Sequence, residues 1–150
     1  MKYYTLNITR TLLREGETAY PANNPKAVKD YALEYCFDRN GLWREHAYLI
    51  FVDPKCYVEG HYHLATGGTD SVTMDKRVAC IAMLGANAKA AILVHNHPGE
   101  DPRPSQSDIK MTDNISNAFR AIGCKLLDHV IITEDKYFSF ADEKIFENKD

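Results

Sequence analysis

Residues 90–94, Ala-Ala-Ile-Leu-Val, run without a polar break into His95-Asn96-His97-Pro98. A short continuous apolar run of this kind reads as a strand buried on both faces, which requires cover on both sides of its sheet. A second run, Ala47-Tyr48-Leu49-Ile50-Phe51-Val52, ends at Asp53-Pro54 as a central strand ends in a turn. Strands and helical patterns alternate through this part of the chain. The expected architecture is therefore an α/β sandwich around a mixed sheet.

The other elements follow from local signals. Residues 2–13 alternate weakly and are expected to add a strand. Asn24 reads as an N-cap with Pro25 at the first helical position, for a helix over 26–37. Its apolar face is expected at Ala27, Tyr31, Leu33/Glu34 and Tyr35, and Gly41 stops it. The break at Arg39-Asn40-Gly41 divides the chain into an extension, 1–40, packed on a domain, 41–150. A strand over 56–64 follows the first run at hairpin distance, and Gly67-Gly68 interrupts the chain. Thr73 or Ser71 is expected to cap a helix over 74–85, with Val78, Ile81, Ala82 and Leu84 facing a core. Ile109, Met111, Thr112, Ile115, Ala118, Phe119 and Ile122 recur at helical spacing until Gly123. Strands over 125–133 and 137–140 close the pattern, and the charged tail from Asp142 is expected to fray.

At 150 residues, 45% of them apolar and 26% charged, the chain has the balance of one soluble domain with a single sizeable core. No run approaches the ~20 apolar residues of a membrane helix, and Met1 to Thr5 lead into no apolar signal segment. The expected compartment is the cytoplasm, without a membrane partner. The four cysteines contain no Cys-x-x-Cys pair and are expected to be reduced filler. A net charge of −3, with Lys and Arg scattered, predicts nucleic-acid binding that is weak, salt-dependent or indirect.

Chemistry concentrates after the 90–94 run. His95 and His97 stand two residues apart on one side of a strand, and Asp108 lies eleven positions beyond His97. Two imidazoles and a carboxylate are ligands of the kind a catalytic zinc uses, with one position left for water. Pro98, Pro102 and Pro104 stiffen the connecting loop, which lowers the entropy lost in holding the set. Ser105-x-x-Asp108 also reads as a capping box. Both roles are expected of Asp108 at once, cap and ligand. A hydrolase built on such a centre needs a base, for which Glu45, Glu59, Glu100 and Asp101 all remain open. Glu59-x-His61-x-His63 shares one strand face with Tyr57, and a polar, solvent-facing strand explains it as well as a metal does. His129 is expected to be a hydrogen-bonded core histidine or a support for the site.

His95-Asn96-His97-Pro98, Pro104-Ser105-x-x-Asp108, Leu127-Asp128-His129 and Tyr137-Phe138-Ser139-Phe140 together resemble the RadC group of the JAB/MPN (JAMM) metalloprotease superfamily. Glu45-His46 and Gly68-Thr69 fit the same order, so the resemblance spans about 42–141. It implies a cytidine-deaminase-like α/β/α sandwich and one Zn2+ per chain held by His95, His97 and Asp108. It also implies Glu45 as base and proton shuttle, and Ser105 as a donor to the oxyanion. Members of this group often carry Ser-Gly after His-Pro, where this chain has Gly99-Glu100. The helix-hairpin-helix segment that usually precedes the domain and meets DNA is not expected in residues 1–40, which are too short and too little basic for one.

The resemblance implies a hydrolase of a peptide or isopeptide bond, with a protein or peptide substrate. A zinc nucleobase deaminase would want His-x-Glu and Pro-Cys-x-x-Cys, and position 97 is His with no such cysteine pair. The competing reading is a non-catalytic RadC-like interaction module in a DNA-repair or mobile-element complex.

Overall fold

Every residue of β1 (His46–Val52) is buried, and the alternation of its side chains sends them into two cores. The computed structural model describes residues 19–37, 41–69 and 71–145. β2 (Val58–Thr66) and β1 pair antiparallel, as do β1 and β3 (Ala90–Asn96). β3 runs parallel to β4 (Lys125–Ile132), whose other neighbour is the short antiparallel β5 (Tyr137–Ser139). The order across the sheet is β2-β1-β3-β4-β5. α1 (Pro25–Tyr31) covers one face, while α2 (Lys76–Gly85) and α3 (Gln106–Ala121) cover the other.

Ala47, Leu49 and Phe51 meet Ala91, Leu93, Met83, Ile115 and Phe119 under α2 and α3. Tyr48, Ile50 and Val52 meet Ile92, Val94, Val130 and Ile132 beneath Val28, Tyr31 and Phe37. The mixed sheet with helices on both faces is the α/β sandwich expected from the alternation of elements, in the α/β/α form that the resemblance implies. Among the described residues, no helix is long and apolar enough to cross a membrane.

Asn24 caps α1 as its sequence predicts, accepting from the Ala27 amide at 2.9 Å, with Pro25 at the start. The helix then widens into a π-type turn, Ala32–Cys36. That extra residue per turn rotates the buried stripe to Val28, Tyr31, Ala32, Cys36 and Phe37, leaving Leu33 and Tyr35 at its margin. The cap of α2 is Asp75, which accepts from the Arg77 amide at 2.7 Å, in place of the expected Thr73 or Ser71. The face that α2 packs on the sheet carries Ala79 and Met83, one turn apart, while Ile81 and Leu84 face outward, not into the core as expected. Val72 and Met74 are buried just ahead of it, so the approach to α2 is anchored by packing before the cap forms.

Asp128 fastens the far side of the sheet. Its carboxylate accepts from the His129 amide at 2.7 Å, the Ser139 hydroxyl at 2.6 Å and the Ala141 amide at 2.9 Å. The segment after β5 is held as far as Ile145, whose amide donates to the Phe140 carbonyl, so fraying does not begin at Asp142. The expected strand over 2–13 and the Arg39-Asn40 break lie outside the described residues. None of the four cysteines is in a disulfide.

Candidate metal centre

His95 lies near the end of β3 and His97 is the first residue past it, with ring centroids 4.9 Å apart. The loop that follows delivers α3, whose start is a complete capping box. The Ser105 hydroxyl accepts from the Asp108 amide at 3.1 Å, and Asp108 Oδ2 accepts from the Ser105 amide at 2.8 Å. Those bonds aim the carboxylate back over the strand. Oδ1 stands 3.4 Å from His95 Nε2, and Oδ2 stands 3.3 Å from His97 Nε2. Asp108 is thus cap and cluster member at once, as its position predicts.

One ligand atom from each of His95, His97 and Asp108 lies within 4.8 Å of the other two. Among the described residues no other group of three such side chains converges in this way. His95 Nε2 is fully buried and has no hydrogen-bond partner. A buried polar atom left unpaired is costly, and an ion bound between the three residues would satisfy it. The residues present fit a divalent metal of the zinc type, whose usual ligands are imidazole and carboxylate.

The electrostatics agree. Complete burial pushes His95 down to about 4, against the opposing pull of Asp108, so it is neutral. Burial also works against a charge on His97, but the Asp108 carboxylate, the Asp101 carbonyl and the Glu45 charge outweigh it and raise its pKa. Asp108 is held well below the usual carboxylate range; burial opposes this, and His97, His95 and the Ser105 donors override it. The cluster is arranged to hold positive charge between one carboxylate and two imidazole nitrogens.

Glu45 reaches this place through strand pairing. Ala47 lies opposite His95 in the antiparallel β1/β3 register. Continued two residues past that pair, the register leads Glu45 toward His97, whose pKa the Glu45 charge helps to raise. Its backbone is fixed from both flanks. On the β2 side its amide donates to the Gly68 carbonyl and its carbonyl accepts from the Gly67 amide. Gly67 is required there, because a Cβ would stand 2.1 Å from the Ser71 carbonyl oxygen. On the β3 side the holder is Asn96, which is completely buried. Its Oδ1 accepts from the His46 amide at 2.8 Å, and its Nδ2 donates to the carbonyls of Leu42 and Arg44 at 3.2 and 3.0 Å.

Asn96 was not among the residues singled out from sequence, although a signal existed. A residue between two ligands on a strand must face the opposite way, and an amide there needs partners. Asn96→Ala strands three backbone groups and is expected to cost about 1–3 kcal/mol. A urea titration measures this, and an unchanged midpoint would show that water replaces the amide without loss.

The remaining candidates disperse. Glu59 is exposed on β2 beside Phe51 and Val52, roughly 20 Å along the sheet from the His46 end. Glu100 is exposed, and the Asp101 carboxylate is tied to Arg103, which holds it down to about 2. Asp101 contributes instead through its carbonyl, which accepts from His97 Nδ1 at 3.1 Å. His61 and His63 are not a bare polar face. The Tyr31 hydroxyl meets His61 Nδ1 at 2.8 Å, and His63 stacks on Tyr48 with centroids 4.6 Å apart. His129 touches the site directly, with Nε2 at 2.7 Å from His95 Nδ1.

Comparison with known proteins gives one consistent result. The family model of the RadC-like JAB domain matches residues 22–145. A UPF0758 protein of Thermotoga maritima is 36% identical over 138 residues, 92% of this chain and 61% of that protein. A UPF0758 protein of Ruegeria pomeroyi is 39% identical over 115 residues, 76% of this chain and 51% of that protein. One from Rhodobacter capsulatus is 41% identical over 95 residues, 63% of this chain and 44% of that protein. The chain thus spans about half the length of the curated relatives it matches. With the match running from the residues that open α1 to those beyond β5, the chain belongs to the RadC-like JAB domain family.

Proposed function

We propose that this chain is a zinc-dependent hydrolase of amide bonds, acting on a peptide or isopeptide linkage of a protein substrate. The observation that carries the reading is the convergence of His95, His97 and Asp108, with His95 Nε2 buried and unpartnered. Zinc held by these three would supply a Lewis acid that lowers the pKa of a water toward neutrality. Glu45, on the His97 side, takes the proton of the attacking water and passes it to the leaving amine. Glu45 is buried, so bulk water does not crowd its carboxylate. Ser105 Oγ already accepts the Asp108 amide, so its own proton remains to donate to the oxyanion of the tetrahedral species. Ser105→Ala is expected to keep zinc, lose part of the rate and cost ~1 kcal/mol of helix capping.

Elemental analysis and calorimetry test the metal. One zinc per chain is expected after mild dialysis, and zinc at 100 times its Kd is expected to add about 2.7 kcal/mol of stability. Chelation should leave the helical far-UV signal in place, because both cores form without the centre. A protein that stays metal-free when zinc is supplied would sink the reading. A chelator that unfolds the chain would make the site structural. Bound zinc with no turnover of any amide-linked substrate would favour the interaction module.

A further inference from the structure

We infer that His129 and Thr112 are positioning residues that fix the proton on His95 and so preset its Nε2 as a ligand. The inference rests on reading the cluster as a metal site.

The argument starts on α3. The Thr112 hydroxyl lies 2.6 Å from the Asp108 carbonyl, one helical turn back. A carbonyl only accepts, so the hydroxyl proton is committed to it. Thr112 Oγ1 is also 2.6 Å from His129 Nδ1. With its proton spent, the oxygen must accept there, and His129 must carry its proton on Nδ1. A neutral imidazole has one such proton, so His129 Nε2 presents a lone pair. That lone pair faces His95 Nδ1 at 2.7 Å, a contact that needs one proton between two nitrogens. The proton belongs to His95 Nδ1, which leaves His95 Nε2 unprotonated and turned toward Asp108 and His97.

All three side chains of this relay are sealed from solvent, with Thr112 at 1% exposure and both histidines at 0%. No water can substitute for a missing partner. The His129 ring is kept in place by stacking on Phe140, with centroids 4.6 Å apart. The relay begins on one ligand, His95, and ends on the backbone of another, Asp108. It ties β3, β4 and α3 together around the centre. His97 is set independently, because the Asp101 carbonyl requires a proton on its Nδ1. Both imidazoles thereby present Nε2 to the same point. Hydrogen bonds of this kind to ligating histidines typically carry about 10–100-fold of metal affinity.

The test uses the full chain and reads tautomers in the chelated protein by long-range 1H–15N correlation. Zinc affinity is measured separately by competition with a chromogenic chelator. The parent and Thr112→Ser are expected to show His95 and His129 both protonated on Nδ1. Thr112→Val keeps nearly the same volume but offers no acceptor, so His129 is free to move its proton to Nε2. His95 is then pushed toward the Nε2–H form, and zinc binding is expected to weaken about 10–100-fold. His129→Gln, whose amide oxygen can accept from His95, should bind zinc more tightly than His129→Leu. Two results would overturn the inference: His95 protonated on Nε2 in the parent, or Thr112→Val with the parent's tautomers and affinity. A parent that shows the expected tautomers yet takes up no zinc would overturn the metal reading instead.

Discussion

Glu45→Gln is expected to retain one zinc per chain and the parent's stability while turnover falls about 10²–10⁴-fold, the loss typical of a general base. The substitution keeps the shape of the side chain and the backbone bonds that Asn96, Gly67 and Gly68 make around it. It removes the carboxylate's charge, which also acts on His97, and with it the capacity to take up a proton. Zinc content, urea midpoint and kcat on an amide-linked substrate are measured on the same preparation. Loss of zinc would make Glu45 a ligand instead of a base. Full activity in Glu45→Gln together with a dead Glu59→Gln would place the base elsewhere, against the distance that separates Glu59 from the cluster.

His97→Ala should behave in the opposite way, losing metal and activity together. His97 is half-buried at the rim, so its removal leaves the two cores alone and should shift stability by no more than about 1 kcal/mol. Asp108 keeps its bond to the Ser105 amide, so α3 stays capped. Zinc affinity is expected to fall by more than the about 10–100-fold that a supporting residue costs, because a ligand itself is gone. Zinc remaining at one per chain after dialysis against a chelator would remove His97 from the set. His95→Ala is a poorer probe, since it also strips His129 of its buried partner.

These effects trace back to features of unequal legibility. The strand cores were readable because residues 47–52 and 90–94 are apolar at every position, a signal that survives without any knowledge of neighbours. His95, His97 and Asp108 were readable because two rules, strand period and helix capping, both act over a few residues. What stayed hidden depends on partners far away in sequence. Thr112 is an ordinary member of a helical stripe until His129 arrives from β4. Asn96 is an interruption in an apolar strand until residues 42–46 fold across it. Ile81 and Leu84 looked like core because they are large and apolar, whereas the stripe that α2 turns to the sheet runs through Ala79 and Met83, four residues apart. The resemblance to the RadC group named Glu45 where periodicity left four carboxylates open. The structure adds that Ala47 pairs with His95 and that the Glu45 charge acts on His97, so Glu45 lies toward the cluster end of the sheet.

The use of Asn96 has a consequence for anyone wishing to move this centre into another scaffold. The peptide from His95 to Asp108 contains the chelating groups, and grafting it onto a new strand would transplant an ion-binding loop. It would not transplant the hold on Glu45, because the amide between the histidines spends its bonds on residues 42–46, at the entry to the neighbouring antiparallel strand. The smallest portable unit is a pair of adjacent strands with a glycine-bounded corner on the outer one. A designer who copies only the His-x-His spacing and leaves an alanine between should keep the two imidazoles and lose the hold on residues 42–46.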